Sequence, residues 1–416
     1  MTTTRPGARA RARARARAAA AVAAGAVLAA ALAGCGGTGP AGGGAAFRIV
    51  SPYDGSGKQA IIGQTYRPGL DAAVAEINKA GGILGRPVRV DYVDVQSDPQ
   101  RASDKLNDAL ARHDYGAVVA ASAGTTTLAM LQAVKVNGVL GVFTGGVPDA
   151  ADPGRYPTQF DLKYPTAAQA KAVGCLTLGQ RPKTVGLLHL DGQLQNAEAD
   201  IWKQQFRAAG VRVTGDEKFP ADQLDLTAQV QRLAAAKPDA VVLETYGPTL
   251  KTAFRAMKDV GLKARVVGGG NVTATPPEVV LGGLDLVPPG TVAMAWPGAV
   301  RVDGELTAAQ RRALAAIEPR TKGVWRGSLS QYLYNYDAVH LVKWAAERAG
   351  SADPGAMRRA LESLGGTPAE TGAVTAPGYT PRDHSYPADA TFHAADLTVP
   401  AQQGTYTSRG PIRCPA

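Results

Sequence analysis

From Phe47 onward, short apolar runs alternate with segments of helical periodicity, and this alternation sets the fold class. Phe47–Ser51 is a strand by its apolar run, and Leu70, Ala73, Val74 and Ile77 follow with the i, i+3, i+4, i+7 spacing of a one-sided helix. Gly81-Gly82 marks that helix's end. Further strands are expected at 88–95, 117–121 and 139–143, with helices opening at Asp98-Pro99 and spanning Thr127–Val136. A second series starts near Pro165. Its strands are expected at 184–190, 211–213, 240–245 and 265–268, and helices are marked by Ala199, Trp202 and Phe206, by Leu226, Val230 and Leu233, and by Leu250, Phe254 and Met257. Strand–helix alternation at this spacing builds parallel sheets covered by helices on both faces. Two series predict an α/β chain of two doubly wound parallel-sheet lobes. Beyond residue 297 the pattern is less regular, with helices expected at 307–317, 328–349 and 354–364 and a Pro- and Gly-rich end.

The first 34 residues read differently. Arg5, Arg9, Arg11, Arg13, Arg15 and Arg17 alternate mostly with alanine, and an apolar run of 16 residues, Ala18–Ala33, follows. That run is short for a membrane span, which takes about 20 residues, and it suits a secretory signal. Leu32-Ala33-Gly34-Cys35 resembles the bacterial lipobox, in which the cysteine is lipidated and becomes the new N-terminus. The expectation is a signal peptide over 1–34 and a lipid anchor at Cys35. A flexible Gly-rich linker over 35–46 then tethers a folded body to the outer face of the cell membrane.

The charge balance follows from this. The chain carries 45 Lys and Arg against 35 Asp and Glu, a net +10. Without residues 1–34 the balance is 39 against 35, or +4, and no basic stripe interleaved with aromatics remains, so nucleic acid is not an expected partner. After Cys35 only Cys175 and Cys414 are left, and in an oxidising compartment the two are expected to form a disulfide.

Several segments carry a family resemblance. They are Glu76-Ile77-Asn78-Lys79-Ala80-Gly81-Gly82-Ile83-Leu84-Gly85-Arg86-Pro87, Ser97-Asp98-Pro99, Lys237-Pro238-Asp239-Ala240-Val241-Val242, Gly261-Leu262-Lys263, Tyr336-Asp337-Ala338-Val339, Ala349-Gly350-Ser351 and Asp383-His384. In this order they resemble the type I periplasmic solute-binding proteins of the branched-chain amino acid group, which serve ATP-driven importers. The resemblance implies two lobes of discontinuous segments joined by a three-strand hinge. Lobe 1 would be 47–162 with 298–368, and lobe 2 would be 163–297 with 369–416. The hinge would pass near Phe160–Lys163, Trp296-Pro297 and Gly372–Tyr379, and Cys175 and Cys414 would share lobe 2. The implied partners are a small-molecule ligand and the membrane permease and ATPase subunits of an ABC importer.

Ligands of open α/β sheets bind beyond the carboxyl ends of the strands. Gly124-Thr125-Thr126-Thr127 follows the 117–121 strand and opens a helix, where backbone N–H groups and hydroxyls suit an anion. In the family this turn holds the ligand's carboxylate, with Ser122 just before it. Thr144-Gly145-Gly146 is the matching loop after the next strand, and Tyr246 matches a position where an aromatic covers the ligand. Two departures concern the ammonium of an amino acid. Where the family's binders place an acid, this chain has Gly269-Gly270-Asn271, and Asp191-Gly192-Gln193-Leu194-Gln195-Asn196 replaces a loop that often carries tyrosine. The expected ligand is therefore a small carboxylate or amide, bound through hydroxyls, backbone N–H groups, Gln193 and Asn271, rather than a branched-chain amino acid.

An enzyme reading finds no support in motifs, since G-x-S-x-G, H-E-x-x-H and C-x-x-C do not occur. His113, His189, His340, His384 and His393 show no metal-ligand spacing, so neither metal nor cofactor is expected. The alternative is a ligand-sensing receptor domain of the same fold without a transport role, for which a following membrane span would be usual.

Overall fold

The computed structural model describes residues 45–121, 124–302, 304–364, 378–386 and 391–415. The signal, Cys35 and Ser122 lie outside the described residues.

The first lobe runs β1 (Phe47–Tyr53), α1 (Ala60–Lys79), β2 (Val88–Asp94), α2 (Pro99–Arg112), β3 (Ala117–Ala120), α3 (Gly124–Val136), β4 (Gly141–Phe143) and β5 (Gln159–Asp161). All five strands are parallel, in the order β2-β1-β3-β4-β5. β3 is buried along its whole length, as expected for a strand covered on both faces. Local chemistry sets the helix limits. The Asp98 carboxylate caps α2 by accepting from the Arg101 N–H at 3.0 Å, with Pro99 at the first helical position. α1 ends where Gly81 and Gly82 take left-handed φ values of 103° and 84°.

The second lobe runs α4 (Thr166–Gly179), β6 (Thr184–Leu190), α5 (Gln193–Ala208), β7 (Arg212–Phe219), α6 (Thr227–Ala235), β8 (Ala240–Glu244), α7 (Pro248–Val260), β9 (Arg265–Gly268), α8 (Pro277–Leu281) and β10 (Val292–Ala295). β11 (Val300–Arg301), α9 (Ala308–Thr321), α10 (Leu329–Ala349), α11 (Pro354–Glu362), β12 (His393–Asp396) and β13 (Tyr406–Pro411) complete the chain. The second sheet has eight strands in the order β11-β13-β12-β10-β9-β8-β6-β7. Its β7-to-β10 portion is parallel, whereas β12 pairs antiparallel with β10 and β13. The irregular end of the chain thus covers an edge that would otherwise stay open.

Helices α9 to α11 return to the first lobe. α10 packs against α1 and the strands β3 and β4, and every residue from Leu329 to Val342 is buried. A helix enclosed on all sides needs no polar face, and one of its hydroxyls ties it to α1: Tyr336 donates to Glu76 Oε2 at 2.5 Å.

Two crossings between the lobes are described. The first leaves β5 through Leu162–Pro165 into α4, and the second follows β10 at Trp296-Pro297. They are tied together: Trp296 Nε1 donates to Gln169 Oε1 at 3.0 Å, and Lys163 Nζ lies 5.2 Å from the centre of the Trp296 ring. Most of the third expected passage, Gly372–Tyr379, lies outside the described residues. Its last residue still belongs to the first lobe, because the Tyr379 hydroxyl donates to Asp161 O at 3.0 Å. His384 does too, with Nδ1 2.8 Å from Gln159 O and the ring stacked on Phe160. On the other side of the second crossing, β11 lies past position 298 yet pairs with β13 in the second sheet. Cys175 on α4 and Cys414 are joined by a disulfide with Cα atoms 4.5 Å apart, which pins the last strand's tail to the second lobe.

Candidate functional site

The carboxyl ends of the two parallel sheets face each other across a cleft with about 190 Å³ of open volume. Its first-lobe wall is built by the β1–α1 loop, α1 and the start of α3. Gly124 and Thr125 line it, since α3 begins at Gly124 and presents its first turn to the opening. The N–H groups of a helix's first turn suit an anion. Thr126 lies one residue further on and is buried in the lobe. Of the Thr144–Gly146 loop, Gly145 reaches the cleft. Thr144 is turned inward and donates to Ala120 O at 3.2 Å, and the Gly146 N–H is spent on Asp161.

The second-lobe wall is made by α5 and the loops after β6, β8 and β9. Tyr246 lines it, as does Asn271, whose amide donates to Glu244 Oε1 at 2.5 Å. Gln193 is exposed and is not among the lining residues. The phase of α5 instead turns Leu194, Gln195 and Glu198 to the cleft. The walls meet closely: a Cβ on Gly124 would come within 2.5 Å of Leu194 Cδ1.

Between the walls, at the crossings, sits a cluster of charges that the motif search did not single out. Asp161 accepts from the backbone N–H groups of Val147, Lys163 and Gly146 at 2.7, 2.9 and 3.3 Å. Burial pushes its pKa up to about 7 against the pull of those donors. Lys163 lines the cleft, and its pKa is lowered by burial, a shift opposed by Asp161, Glu198 and Glu244. Glu244 is 1% exposed, and burial raises its carboxyl to about 7 while the Asn271 hydrogen bond resists. Glu198 is raised well above the usual carboxylate range, first by burial and then by the charge of Glu244. Position 269 must be glycine here, because a Cβ would stand 1.6 Å from Glu244 Oε2. The first-lobe wall adds Asp54 and Tyr66, and the neighbourhood of Asp54 raises the Tyr246 hydroxyl further after burial.

Of the residues that the sequence marks, Gly124, Thr125, Gly145, Tyr246 and Asn271 line the cleft. The sequence reading passed over Asp54, Lys163, Gln169, Gln195 and Glu198. Glu198 did leave a signal: it stands four residues before Trp202, on the helix stripe that also buries Phe206. An acid on an apolar stripe is unusual enough to mark.

Among the described residues no three His, Cys, Asp or Glu are grouped to hold a metal ion, and no helix is long and apolar enough to cross a membrane. What the geometry offers is a polar, two-sided enclosure for a small molecule at the carboxyl ends of two sheets.

Known proteins share this architecture. "Leu/Ile/Val-binding protein homolog 3" of Brucella melitensis is 25% identical over 334 residues, which cover 79% of this chain and 85% of that protein. The branched-chain amino acid transporter substrate binding protein LivJ from Streptococcus pneumoniae, solved in complex with isoleucine, superposes with a TM-score of 0.73 at 19% identity, covering 85% of this chain and 97% of that one. A solute binding protein of an ABC transporter from Rhodopseudomonas palustris BisB5, solved with 3,4-dihydroxy benzoic acid, gives 0.71 at 18% identity over 84% and 93% of the two chains. The sequence profile of the family described as "Periplasmic binding protein" matches residues 46–397, running through both sheets, and this chain belongs to that family.

Proposed function

We propose that this protein is an extracytoplasmic solute-binding lipoprotein. It captures a small polar solute (an amino acid, amide or small carboxylate) between its lobes and delivers it to the permease and ATPase of an ABC-type importer. The observation that carries the reading is the cleft itself, with the first turn of α3 on one side and Tyr246 on the other. A carboxylate or carbonyl end meets the Gly124–Thr125 turn and Gly145, Tyr246 covers the solute from the second lobe, and closure is a hinge motion at the crossings. The isoleucine held by the Streptococcus pneumoniae protein and the 3,4-dihydroxy benzoic acid held by the Rhodopseudomonas palustris protein share a carboxylate. A seat for a carboxylate on one wall, with the rest of the solute met by the other, suits ligands of this kind. Lipidation at Cys35 would hold the body near the permease through the Gly-rich linker. Calorimetry of the purified protein against amino acids, amides and aliphatic and aromatic acids tests capture. The expected result is a single site whose affinity drops in Thr125→Ala and Tyr246→Ala, and the absence of any binding partner in that set would count against it.

A further inference from the structure

The reading above leaves open what the far end of the solute is made of, and the following rests on that reading. The family resemblance puts an ammonium-holding acid after β9, where this chain has Gly270. A Cβ there would stand 2.6 Å from Met294 Cε, so the methionine would have to move to admit a side chain. The acids of this cleft come from other elements. Glu198 on α5 is 7% exposed and lines the cleft. Its Oε2 is buried and receives no hydrogen bond from any described residue. Glu244, at the end of β8, stands behind it and is held by Asn271. The charged groups facing this pair are Lys163 and Asp161 from the first crossing, Asp191 from the loop before α5 and Asp54 from the β1–α1 loop. Among the described residues that line the cleft Lys163 is the one cation, and it also faces Asp161.

We propose that Glu198, backed by Glu244, is the binding site for a protonated nitrogen of the captured solute, an ammonium, amidinium or guanidinium group. The solute is then a cation-bearing molecule whose acceptor end reaches the first turn of α3 across the cleft. A buried carboxyl oxygen without a donor is costly, and an N–H of a cation satisfies it with a charge-assisted bond. The acid excess around Lys163 favours a positive guest over a negative one. Burial raises the Glu244 carboxyl to about 7 and shifts Glu198 in the same direction. A bound cation favours the ionised form of each, so binding is expected to release protons and to tighten as pH rises through about 7.

The test is isothermal calorimetry on the purified protein in buffers of different ionisation enthalpy. The probes are leucine, lysine, γ-aminobutyrate and δ-aminovalerate, with caproate (δ-aminovalerate with methyl for ammonium) and adipate as matched acids. The expected result is binding by an ammonium-bearing probe with proton release, and none by its alkyl isostere. Glu198→Gln weakens that probe by about tenfold or more, the loss expected for a hydrogen bond to a charged group. Should Glu198→Gln fail to fold, Glu198→Asp keeps the charge and shortens the reach, and is expected to retain proton release with reduced affinity. The proposal is overturned if caproate or adipate binds more tightly than δ-aminovalerate, if Glu198→Gln leaves an ammonium probe unaffected, or if no ammonium-bearing probe binds. A neutral or anionic solute that loses affinity in Tyr246→Ala but ignores Glu198→Gln would overturn this inference and leave solute capture standing.

Discussion

Lys58 Nζ lies 2.8 Å from Asp222 Oδ2, an ion pair between the β1–α1 loop of the first lobe and the β7–α6 loop of the second. It spans the mouth of the cleft, and both side chains are largely exposed, at 67% and 62%. The pair can hold the lobes together only when they are closed, so it acts on release of the solute rather than on its recognition. Exposed pairs contribute little, and salt screens them. Asp222→Asn is expected to raise the solute's dissociation rate by a few-fold at low ionic strength, with the difference vanishing in high salt. Stopped-flow release at two salt concentrations checks this.

The glutamates at the cleft predict a pH dependence of stability. Glu244 titrates at 4.5 in its unperturbed state and at about 7 when folded. Its folded-state pKa is raised, so the folded protein binds the proton more tightly than the unfolded chain. That stabilisation is fully present below the unfolded value and is lost as pH rises through the folded one. Without solute, the protein is expected to melt at a higher temperature near pH 5 than near pH 8, and Glu244→Gln is expected to flatten the difference. Thermal melts across that range decide it.

The disulfide makes a separate prediction. Cys175 and Cys414 are 239 residues apart, and in the chain-entropy account closing so long a loop stabilises the folded state by about 5.5 kcal/mol. Cys414→Ser is expected to lower the melting temperature by several degrees and to expose the tail, from Pro411 onward, to proteolysis. Solute affinity should hardly change, because Cys175 and Cys414 are not among the residues that line the cleft. Denaturant titration with and without reductant, combined with limited proteolysis, measures both effects.

For the anchor, replacing Cys35 by Ser is expected to release the protein from membranes or leave its signal uncleaved. Fractionation with mass spectrometry of the N-terminus reads the result, and a processed Cys35→Ser protein still bound to membranes would contradict lipidation.

What the sequence made legible follows from the range of the interactions. α1, α2, α5, α7 and α10 stand out because helical periodicity is local and their caps, such as Asp98 and Gly261, lie next to them. β5 holds a single apolar residue, Phe160, and β10 follows the Pro- and Gly-rich stretch 282–290 outside the strand–helix alternation, so neither stands out in the sequence. β12 and β13 show in the sequence only as short strand-like runs in a Pro- and Gly-rich stretch, and their pairing is not legible because the partners are distant: Val292 pairs with Asp396. α3 starts at Gly124 rather than at Thr127, and that first turn is the part that faces the cleft. The second-lobe wall was half legible. Tyr246 and Asn271 follow strand ends, a position that topology marks. Gln193 looked equivalent, but the helix begins there and its phase sends Glu198 inward instead. Lys163 and Asp54 carry no local signal, because their roles arise only when two lobes are brought face to face.

The central claim is that a small solute is enclosed between the lobes, and thermal unfolding with solutes present tests it most directly. A ligand at 100 times its dissociation constant stabilises the folded state by about 2.7 kcal/mol. The account predicts a concentration-dependent rise in melting temperature for at least one small polar solute. Thr125→Ala should reduce it, by about 1–2 kcal/mol for a hydrogen bond to a charged group, and Tyr246→Ala, which removes an aromatic lid, should reduce it further. A shift that survives both substitutions together would place the solute outside this cleft and contradict the account, as would the absence of a shift with every amino acid, amide and carboxylate tried.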